Sequence, residues 1–262
     1  MFRHLNIAAM AAVATLAVST AAFAQGPTTR LDRIEASGTL RVGMTGDYRP
    51  FTFLDKKTGK FEGFDVDMAN ALGKALGVKV EFVKTSWPTY TKDFKADKFD
   101  IATGGVSITL ARQKVGYFST PIMREGKTPI ARCGDVSKYQ TIADIDKPGV
   151  RVIVNPGGTN DRFAHAHFPH AKIEAYKDNV TIFDQIAQGK ADVMVTDSSE
   201  TLFQQKLHHG VLCSVHPKHP FNFAEKGIWI QRDEALRLFI DQWLHNMRET
   251  GRYKAIYAKY FN

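Results

Sequence analysis

The organisation of this chain can be read from residues 193–205, VMVTDSSETLFQQ, where a strand passes directly into a helix. Three apolar residues at 193–195 run towards Asp197, and Glu200 follows three residues later. A continuous apolar run of this kind predicts a buried strand, and the carboxyl ends of such strands face the ligand in α/β sheets. One acid would be enough to bind a cation there, so the second acid requires an explanation.

The same succession of strand and helix occurs elsewhere in the chain. Residues 64–76, FDVDMANALGKAL, place apolar side chains at helical spacing, and Gly77 predicts the end of the helix. Residues 78–85, VKVEFVKT, alternate apolar and polar side chains, which is typical of a strand. The pattern starts again near residue 138. It predicts an α/β fold with two lobes, each built on a mostly parallel sheet.

Two lobes in one chain need crossing segments between them. We expect these crossings at 127–133 and 214–221, which border the second half of the chain on both sides. Lobe 1 would then contain residues 25–128 and 221–262, and lobe 2 residues 129–220. Such a hinged fold places the turns after its strands around one cleft. These turns lie at 46–48, 104–112, 155–160 and 197–200.

Residues 1–24 form a predicted signal peptide. Arg3 precedes an apolar run over 7–18, and the small-residue sequence AFA at 22–24 precedes Gln25. A membrane anchor is the alternative, but the run is short and rich in alanine for a span of ~20 strongly apolar residues. We therefore expect export to the periplasm and no membrane segment after cleavage.

The net charge favours a small anionic partner. The chain has 35 Lys and Arg against 27 Asp and Glu, a formal charge of +8. A nucleic-acid partner does not suit an exported protein whose lysines are scattered along the chain. Cys133 and Cys213 are a disulfide candidate, because an even pair in an oxidising compartment favours pairing. Two free buried thiols are the alternative.

Three features near the predicted cleft suit an anionic ligand. The guanidinium of Arg112 can hold a carboxylate with two parallel hydrogen bonds, and Ser107 could complete the grip. The turn PGGTN, 156–160, begins a helix whose N-terminus attracts an anion. The alternatives are a solvated arginine and an ordinary glycine turn. Trp87 either forms a wall for a ring or packs in the core.

We predict no metal and no cofactor. His165 and His167 lie two residues apart and cannot share a helix face, while the adjacent His208 and His209 have no third ligand in view. No serine or cysteine stands in a nucleophile elbow, and no phosphate-binding GxxxxGK[ST] loop occurs.

Several motifs together carry a family resemblance over nearly the whole chain that follows the signal peptide. They are GDYRPF, FEGFDVDMANALG, FDIATGGVSIT with Arg112, GGTN and KADVMVTDSS. The chain resembles the periplasmic amino-acid-binding proteins of ABC transporters, which have the type II two-lobe periplasmic binding protein fold. The resemblance implies that Arg112 holds the ligand carboxylate and Asp197 its ammonium. Asp47 would lie near the ammonium, and Thr159 at the start of a helix in the second lobe.

A second set of motifs is similar to one group on this fold, the cyclohexadienyl dehydratases. These motifs are TGDYRPF, TSWPTY, VNPGGTND, DNVTIFDQIAQGKADVMVTDSSE and PFNFAEK. The group converts prephenate to phenylpyruvate and L-arogenate to L-phenylalanine, and water and carbon dioxide leave together. The resemblance implies an exported enzyme with Glu200 as its general acid. It implies no cofactor, because the forming aromatic ring accepts the electrons.

The same resemblance places the remaining substrate-binding residues. Asn155 and the turn at Gly158 and Thr159 would contact the far end of the ring, and Trp87 would stack on it. An alternative for Glu200 is a first-turn acid that opposes the helix dipole. Glu225 is the reserve candidate for the acid.

Other functions stay open at this point. The main alternative is an amino-acid-binding subunit of an ABC transporter, which needs no acid at Glu200. A sensory binding module is a third possibility, but no membrane segment or signalling domain follows. A homo-oligomer is possible, with the amphipathic C-terminal helices as one candidate surface.

Overall fold

The computed structural model describes residues 29–261, and the predicted signal peptide 1–24 lies outside them. Strands and helices alternate along the described chain. The strands are β1 (Thr39–Met44), β2 (Asp47–Tyr48), β3 (Thr52–Leu54), β4 (Phe61–Glu62), β5 (Lys79–Lys84), β6 (Ile101–Ala102), β7 (Tyr117–Phe118), β8 (Met123–Glu125), β9 (Lys127–Arg132), β10 (Arg151–Val154), β11 (Lys172–Ala175), β12 (Val193–Asp197), β13 (Leu212–Ser214), β14 (Ala224–Lys226) and β15 (Trp229–Ile230). The α-helices are α1 (Arg30–Ser37), α2 (Phe64–Leu76), α3 (Tyr90–Lys95), α4 (Leu110–Gln113), α5 (Ile142–Ile145), α6 (Thr159–His167), α7 (Ile182–Ala187), α8 (Ser198–Leu207), α9 (Glu234–Glu249) and α10 (Arg252–Phe261), and a 3-10 helix spans Cys133–Lys138.

Helix α2 illustrates how the sequence pattern produces these elements. Its buried residues include Phe64, Met68 and Leu72, which recur at helical spacing and face the core. Gly77 follows its last residue in the left-handed region, with φ 70°. A residue without Cβ adopts this conformation without steric strain, so the helix ends where the sequence predicts.

Two five-stranded sheets form the centres of the two lobes. In the first, the strand order is β5-β1-β6-β15-β7, with β1 parallel to β5 and β6. In the second, the order is β11-β10-β12-β9-β13, with β10 parallel to β11 and β12. Strands β15 and β9 run antiparallel to their neighbours. The two-lobe α/β fold predicted from the sequence is confirmed.

Each lobe has its own hydrophobic core. Leu40 and Val42 of β1 pack with Phe64 of α2 in the first lobe, and the C-terminal helices add Trp243 and Leu244 to the same core. The second core contains buried residues of β10, α6 and β12. The C-terminal helices therefore belong to the first lobe, although they follow the second lobe in the chain.

The crossings lie a few residues away from the predicted segments. Strand β9 pairs along its length with β12 and also pairs with β13, so residues 127–132 are part of the second sheet. The chain passes between the sheets through β8 and β14, which form a two-stranded antiparallel ribbon. The prediction of crossings at 127–133 and 214–221 was therefore wrong, because the largely buried β9 reads from the sequence as a connection. The lobe boundaries at 128/129 and 220/221 stay a prediction.

A disulfide joins Cys133 to Cys213. Cys213 lies in β13 and Cys133 follows β9, so the bond links two adjacent strands of the second sheet. The alternative of two free thiols does not hold for this pair. Within residues 29–261, no helix is long and apolar enough to cross a membrane.

Candidate active site

A cavity of about 310 Å³ lies between the two lobes. Tyr48 and Trp87 line it from the first lobe. From the second lobe, Asn155, Gly158, Thr159 and Asp197 line it. The structure thus brings together five of the predicted site residues.

Asp197 ends β12 at this cavity and is 2 % exposed. Its Oδ1 lies 2.6 Å from Nζ of Lys127, and its Oδ2 lies 2.7 Å from Nζ of Lys226. The hydroxyl of Tyr48 donates to Oδ2 at 2.5 Å. Burial alone would raise the pKa of Asp197, but the two lysines hold that pKa far below its ordinary value. Asp197 is therefore an ionised carboxylate whose two oxygens already have partners within the chain.

The two lysines have no donor left for a ligand. Nζ of Lys127 donates to Asp197, to Oγ1 of Thr159 at 3.0 Å and to Oδ1 of Asn160. Nζ of Lys226 donates to Asp197 and to the carbonyl of Gly105 at 2.9 Å, and it lies 2.9 Å from Oε1 of Glu125. An ammonium group has three N–H donors, so these contacts use all of them.

The pKa values of the two lysines shift in opposite directions. Burial lowers the pKa of Lys127, which faces the single carboxylate of Asp197. Burial opposes the charge of Lys226 as well, but Asp197 and Glu125 together hold the pKa of Lys226 above its ordinary value. The number of carboxylates that surround each ammonium accounts for the difference.

Glu125 belongs to β8, in the two-stranded ribbon of β8 and β14, and joins this network through Lys226. Its Oε2 accepts hydrogen bonds from the backbone N–H of Ser199 at 3.2 Å and from the Ser199 hydroxyl at 2.5 Å. Burial raises the pKa of Glu125, and Lys226 opposes that rise. The network therefore connects the first turn of α8 to the strand β8.

Glu200 lies in the first turn of α8 and is 1 % exposed. The hydroxyl of Thr196 donates to its Oε2 at 2.5 Å. Burial raises the pKa of Glu200 to about 8. The hydrogen bond from Thr196 lowers this pKa, the charge of Asp197 raises it, and the charges of Lys226 and Lys127 lower it. Glu200 is therefore a neutral acid at neutral pH. Its place in the first turn of α8 is the one that the alternative of a dipole-opposing acid also expects, but such an acid acts through a negative charge that a neutral Glu200 lacks.

Arg112 and Ser107 are not among the residues that line the cavity. Arg112 is 7 % exposed, and its Nη1 donates to the carbonyl of Ser107 at 2.8 Å. Among the described residues, no carboxylate forms a salt bridge with Arg112. Burial lowers the pKa of Arg112 to about 10, so it stays charged at neutral pH. A buried cation without an anion suits a ligand carboxylate, and a solvated arginine is excluded.

Asp47 and Trp87 form one wall of the cleft. The indole Nε1 of Trp87 donates to Oδ1 of Asp47 at 3.1 Å, and burial raises the pKa of Asp47. The rings of Trp87 and Tyr48 meet edge to face, with centroids 5.5 Å apart. Asp47 is not part of the cavity lining, but its carbonyl accepts a hydrogen bond from Asn179 of the second lobe at 3.0 Å.

The second lobe contributes Asn155 and a glycine turn. Nδ2 of Asn155 donates to the carbonyls of Tyr176 and Lys177, which fixes its side chain at the cavity. At the adjacent mouth, a Cβ on Gly157 would lie 2.8 Å from Cα of Pro88 in the first lobe. The two lobes therefore touch at the mouth of the cleft, and Gly157 permits that close contact.

The reserve acid Glu225 lies away from this arrangement. It belongs to β14, where it pairs with Arg124 of β8, and its side chain is half-buried. It does not line the cavity.

Sequence reasoning did not find four residues that shape the site, namely Lys127, Lys226, Thr196 and Asn160. The available signal was a lysine directly before the apolar stretch TPIA, and a second lysine at the end of FAEK. Lysines at the ends of buried strands need a partner. Asp197 pairs with both lysines and lies 70 and 29 positions away from them in the chain, so only the fold identifies it as their partner.

The chain belongs to the bacterial extracellular solute-binding proteins, family 3, whose model matches residues 40–262. It is 51% identical over 250 residues to cyclohexadienyl dehydratase of Pseudomonas aeruginosa, covering 95% of this chain and 91% of that protein. A crystal structure of the ancestral amino acid-binding protein AncCDT-1, a precursor of cyclohexadienyl dehydratase, has a TM-score of 0.81 at 38% identity, with 88% of this chain and 99% of that chain covered. An ancestral cyclohexadienyl dehydratase is 48% identical with a TM-score of 0.56, over 90% of this chain and 97% of that chain. The resemblance predicted from the motifs is confirmed.

Proposed function

We propose that this protein is a periplasmic dehydratase, a carbon–oxygen lyase that converts prephenate to phenylpyruvate and L-arogenate to L-phenylalanine. The observation that carries the proposal is Glu200, a buried acid whose pKa is raised to about 8. Glu200 is not among the residues that line the cavity, but it follows the lining residue Asp197 by three positions. The similarity to a cyclohexadienyl dehydratase supports the choice of reaction.

The reaction needs a proton donor at one atom. The ring hydroxyl of either substrate leaves poorly as hydroxide and well as water, so Glu200 transfers its proton to that oxygen as the C–O bond breaks. The bond between the ring and its carboxylate breaks at the same time, and its electron pair enters the ring. The products are carbon dioxide, water and an aromatic ring, and Glu200 is left as a carboxylate that must regain a proton from solvent.

The neighbouring residues hold the substrate. The guanidinium of Arg112 binds the side-chain carboxylate, and the carbonyl of Ser107 keeps that guanidinium in place. Asn155, Gly158 and Thr159 contact the substrate from the second lobe, and Trp87 faces its ring. Contact between the lobes limits the entry of water, which strengthens these charge interactions.

The state of Asp197 favours a dehydratase over an amino-acid-binding subunit of a transporter. Such a subunit needs a free carboxylate for the ligand ammonium, whereas the oxygens of Asp197 are held by Lys127, Lys226 and Tyr48. We therefore infer that Asp197 holds the two lysines and does not receive a ligand. Membership of a solute-binding family keeps the transport function as the alternative to be tested.

An assay with purified protein lacking residues 1–24 tests the proposal. The protein is mixed with prephenate at neutral pH, and phenylpyruvate is followed by its absorbance in alkali. We expect turnover, and we expect Glu200→Gln to lower kcat by about 10³-fold, because general acids contribute about 10² to 10⁴. Glu225→Gln is the matched control and should retain activity within about twofold, because the half-buried Glu225 does not line the cavity.

Two results would contradict the proposal. Near-normal turnover of Glu200→Gln would remove Glu200 from the acid role. No turnover by the unmodified protein, combined with calorimetric binding of an ordinary amino acid, would favour the transport function.

A further inference from the structure

A chain of hydrogen bonds leads from Lys127 to Glu200. Nζ of Lys127 donates to Oδ1 of Asn160, and Nδ2 of Asn160 donates to Oγ1 of Thr196 at 2.7 Å. The hydroxyl of Thr196 donates to Oε2 of Glu200 at 2.5 Å. Thr196 and Glu200 are almost completely buried, so water does not compete for these bonds.

The contact with Lys127 determines which group donates and which accepts in each of these hydrogen bonds. Lys127, in contact with the Asp197 carboxylate, is an ammonium that donates and cannot accept. Asn160 must therefore present its carbonyl oxygen to Lys127 and its NH₂ group to Thr196. Oγ1 of Thr196 accepts that bond. The acceptor that the hydroxyl hydrogen of Thr196 meets is Oε2 of Glu200, and a buried hydroxyl hydrogen needs an acceptor, so the hydrogen goes to Oε2.

We infer that Asn160 and Thr196 are positioning residues, which make Oε2 of Glu200 the accepting oxygen and place the proton of the acid on Oε1. A neutral carboxyl group has one O–H and one carbonyl oxygen, and without these neighbours either oxygen could carry the proton. The inference rests on the proposed function in one respect, since Oε1 is then the oxygen that delivers the proton to the substrate.

The same hydrogen bond tunes the strength of the acid. Burial raises the pKa of Glu200, and the Thr196 hydroxyl acts in the opposite direction. The other charged or titratable groups near Glu200 are Asp197, Lys226 and Lys127, together with Tyr48 across the cleft. Removal of the hydroxyl alone should raise the pKa of Glu200 and leave these groups in place.

Infrared difference spectroscopy tests the placement of the proton without any turnover. The spectrum of the unmodified protein minus that of Glu200→Gln isolates the carbonyl stretch of the protonated Glu200. Thr196→Val keeps the shape of the side chain but removes the hydroxyl, so we expect the stretch to move to higher frequency. Thr196→Ser retains the hydroxyl and should leave the band near its original position. A band that does not move in Thr196→Val would overturn the inference.

The pH profile gives a second measurement. We expect Thr196→Val to lower kcat by about 10-fold, the effect of one lost hydrogen bond in the transition state, and to move the alkaline limb of kcat/KM to higher pH. A purely structural role would lower activity without moving that limb, and that result would overturn the inference. Thr196→Ser should restore both quantities.

A variant of Asn160 covers the case in which Thr196→Val does not fold. In Asn160→Leu the Thr196 hydroxyl loses the donor that sets its direction, so the carbonyl band should broaden or split. A single unchanged band would overturn the inference. If the unmodified protein does not convert prephenate but the infrared shifts occur as expected, the proposed function fails while the placement of the proton stands.

Discussion

Asp197 and Glu200 lie three residues apart, at the end of β12 and in the first turn of α8, and their carboxyl groups have opposite states. The exposed fractions are 2 % and 1 %, so burial does not distinguish them. The pKa of Asp197 is held far below its ordinary value by two lysines, while burial raises the pKa of Glu200 to about 8.

The difference shows that partners decide the state of a buried acid. Asp197 has an ammonium group on each oxygen, at 2.6 and 2.7 Å. The nearest hydrogen-bond donor of Glu200 is the neutral hydroxyl of Thr196. Desolvation penalises the charge of both acids, and only Asp197 has cations close enough to compensate. One acid is thus a fixed anion, and the other keeps its proton.

The largest expected effect comes from removing the fixed anion. Asp197→Asn leaves Lys127 and Lys226 buried with too little negative charge, and we expect a loss of about 3–5 kcal/mol in the free energy of unfolding. Chemical denaturation at neutral pH measures it. Glu174→Gln breaks a surface pair with Lys172 and should change stability by less than about 1 kcal/mol. A loss in Asp197→Asn no larger than in this control would mean that the lysines discharge easily.

Substitution of Glu200 should increase the free energy of unfolding at alkaline pH, whereas substitution of Asp197 should decrease it. Because the pKa of folded Glu200 is raised, its contribution is fully present below the unfolded value of about 4.3 and is lost as the pH rises through about 8. Glu200→Gln has no such loss. We expect this variant to be more stable than the unmodified protein near pH 8, by a few kcal/mol, and equally stable near about pH 4.

Denaturation curves across this pH range measure the difference between the two proteins. A difference that stays constant with pH would show that Glu200 does not titrate as described. On the acid side the contribution of Asp197 runs the other way, since a depressed pKa means stability that is present above about 3.9 and lost as the pH falls.

The rate should report the same pKa. If Glu200 must be protonated to act, kcat/KM for prephenate should fall about tenfold per pH unit above about pH 8. Between about pH 6 and pH 7, kcat/KM should not fall as the pH rises. Steady-state rates in overlapping buffers measure the profile. A rate that rises steadily beyond pH 8 would identify Glu200 as a base instead.

A third acid extends the comparison to substrate choice. Asp47 is the remaining carboxylate at the predicted ammonium end, and arogenate carries an ammonium where prephenate carries a ketone. Asp47→Asn keeps an oxygen for the Trp87 N–H, so we expect kcat/KM for arogenate to fall about tenfold, or about 1.4 kcal/mol, with a much smaller change for prephenate. Equal losses for both substrates would assign Asp47 a structural role.

Local pattern was sufficient to predict β12 and α8, because a buried strand and a helix start are encoded within a dozen residues. The acid role of Glu200 came from the motif resemblance and stays a prediction. The motif resemblance placed Asn155, Gly158 and Thr159, which do meet at the cavity. The sequence did not predict that both carboxylate oxygens of Asp197 already have partners within the chain. This pairing depends on Lys127 and Lys226, which reach Asp197 from other strands, and a sequence does not show which ammonium approaches which oxygen.

The crossing strands are a second case of this limit. The sequence of β9 predicts a connection, and only its pairing with β12 and β13 shows that it lies within a sheet. The true ribbon of β8 and β14 is short, and its pairing is also visible only in three dimensions.

Glu125 and Lys226 belong to that ribbon, and the acid Glu200 feels the charge of Lys226. The contact of Pro88 with Gly157 lies instead at the mouth of the cleft. If the lobes rotate about the ribbon of β8 and β14, residues far from the ribbon move more than residues near it. The mouth of the cleft then moves far, while the charged groups near the ribbon move little. Under the proposed function, the buried surroundings that keep Glu200 protonated would therefore change little as the mouth of the cleft opens.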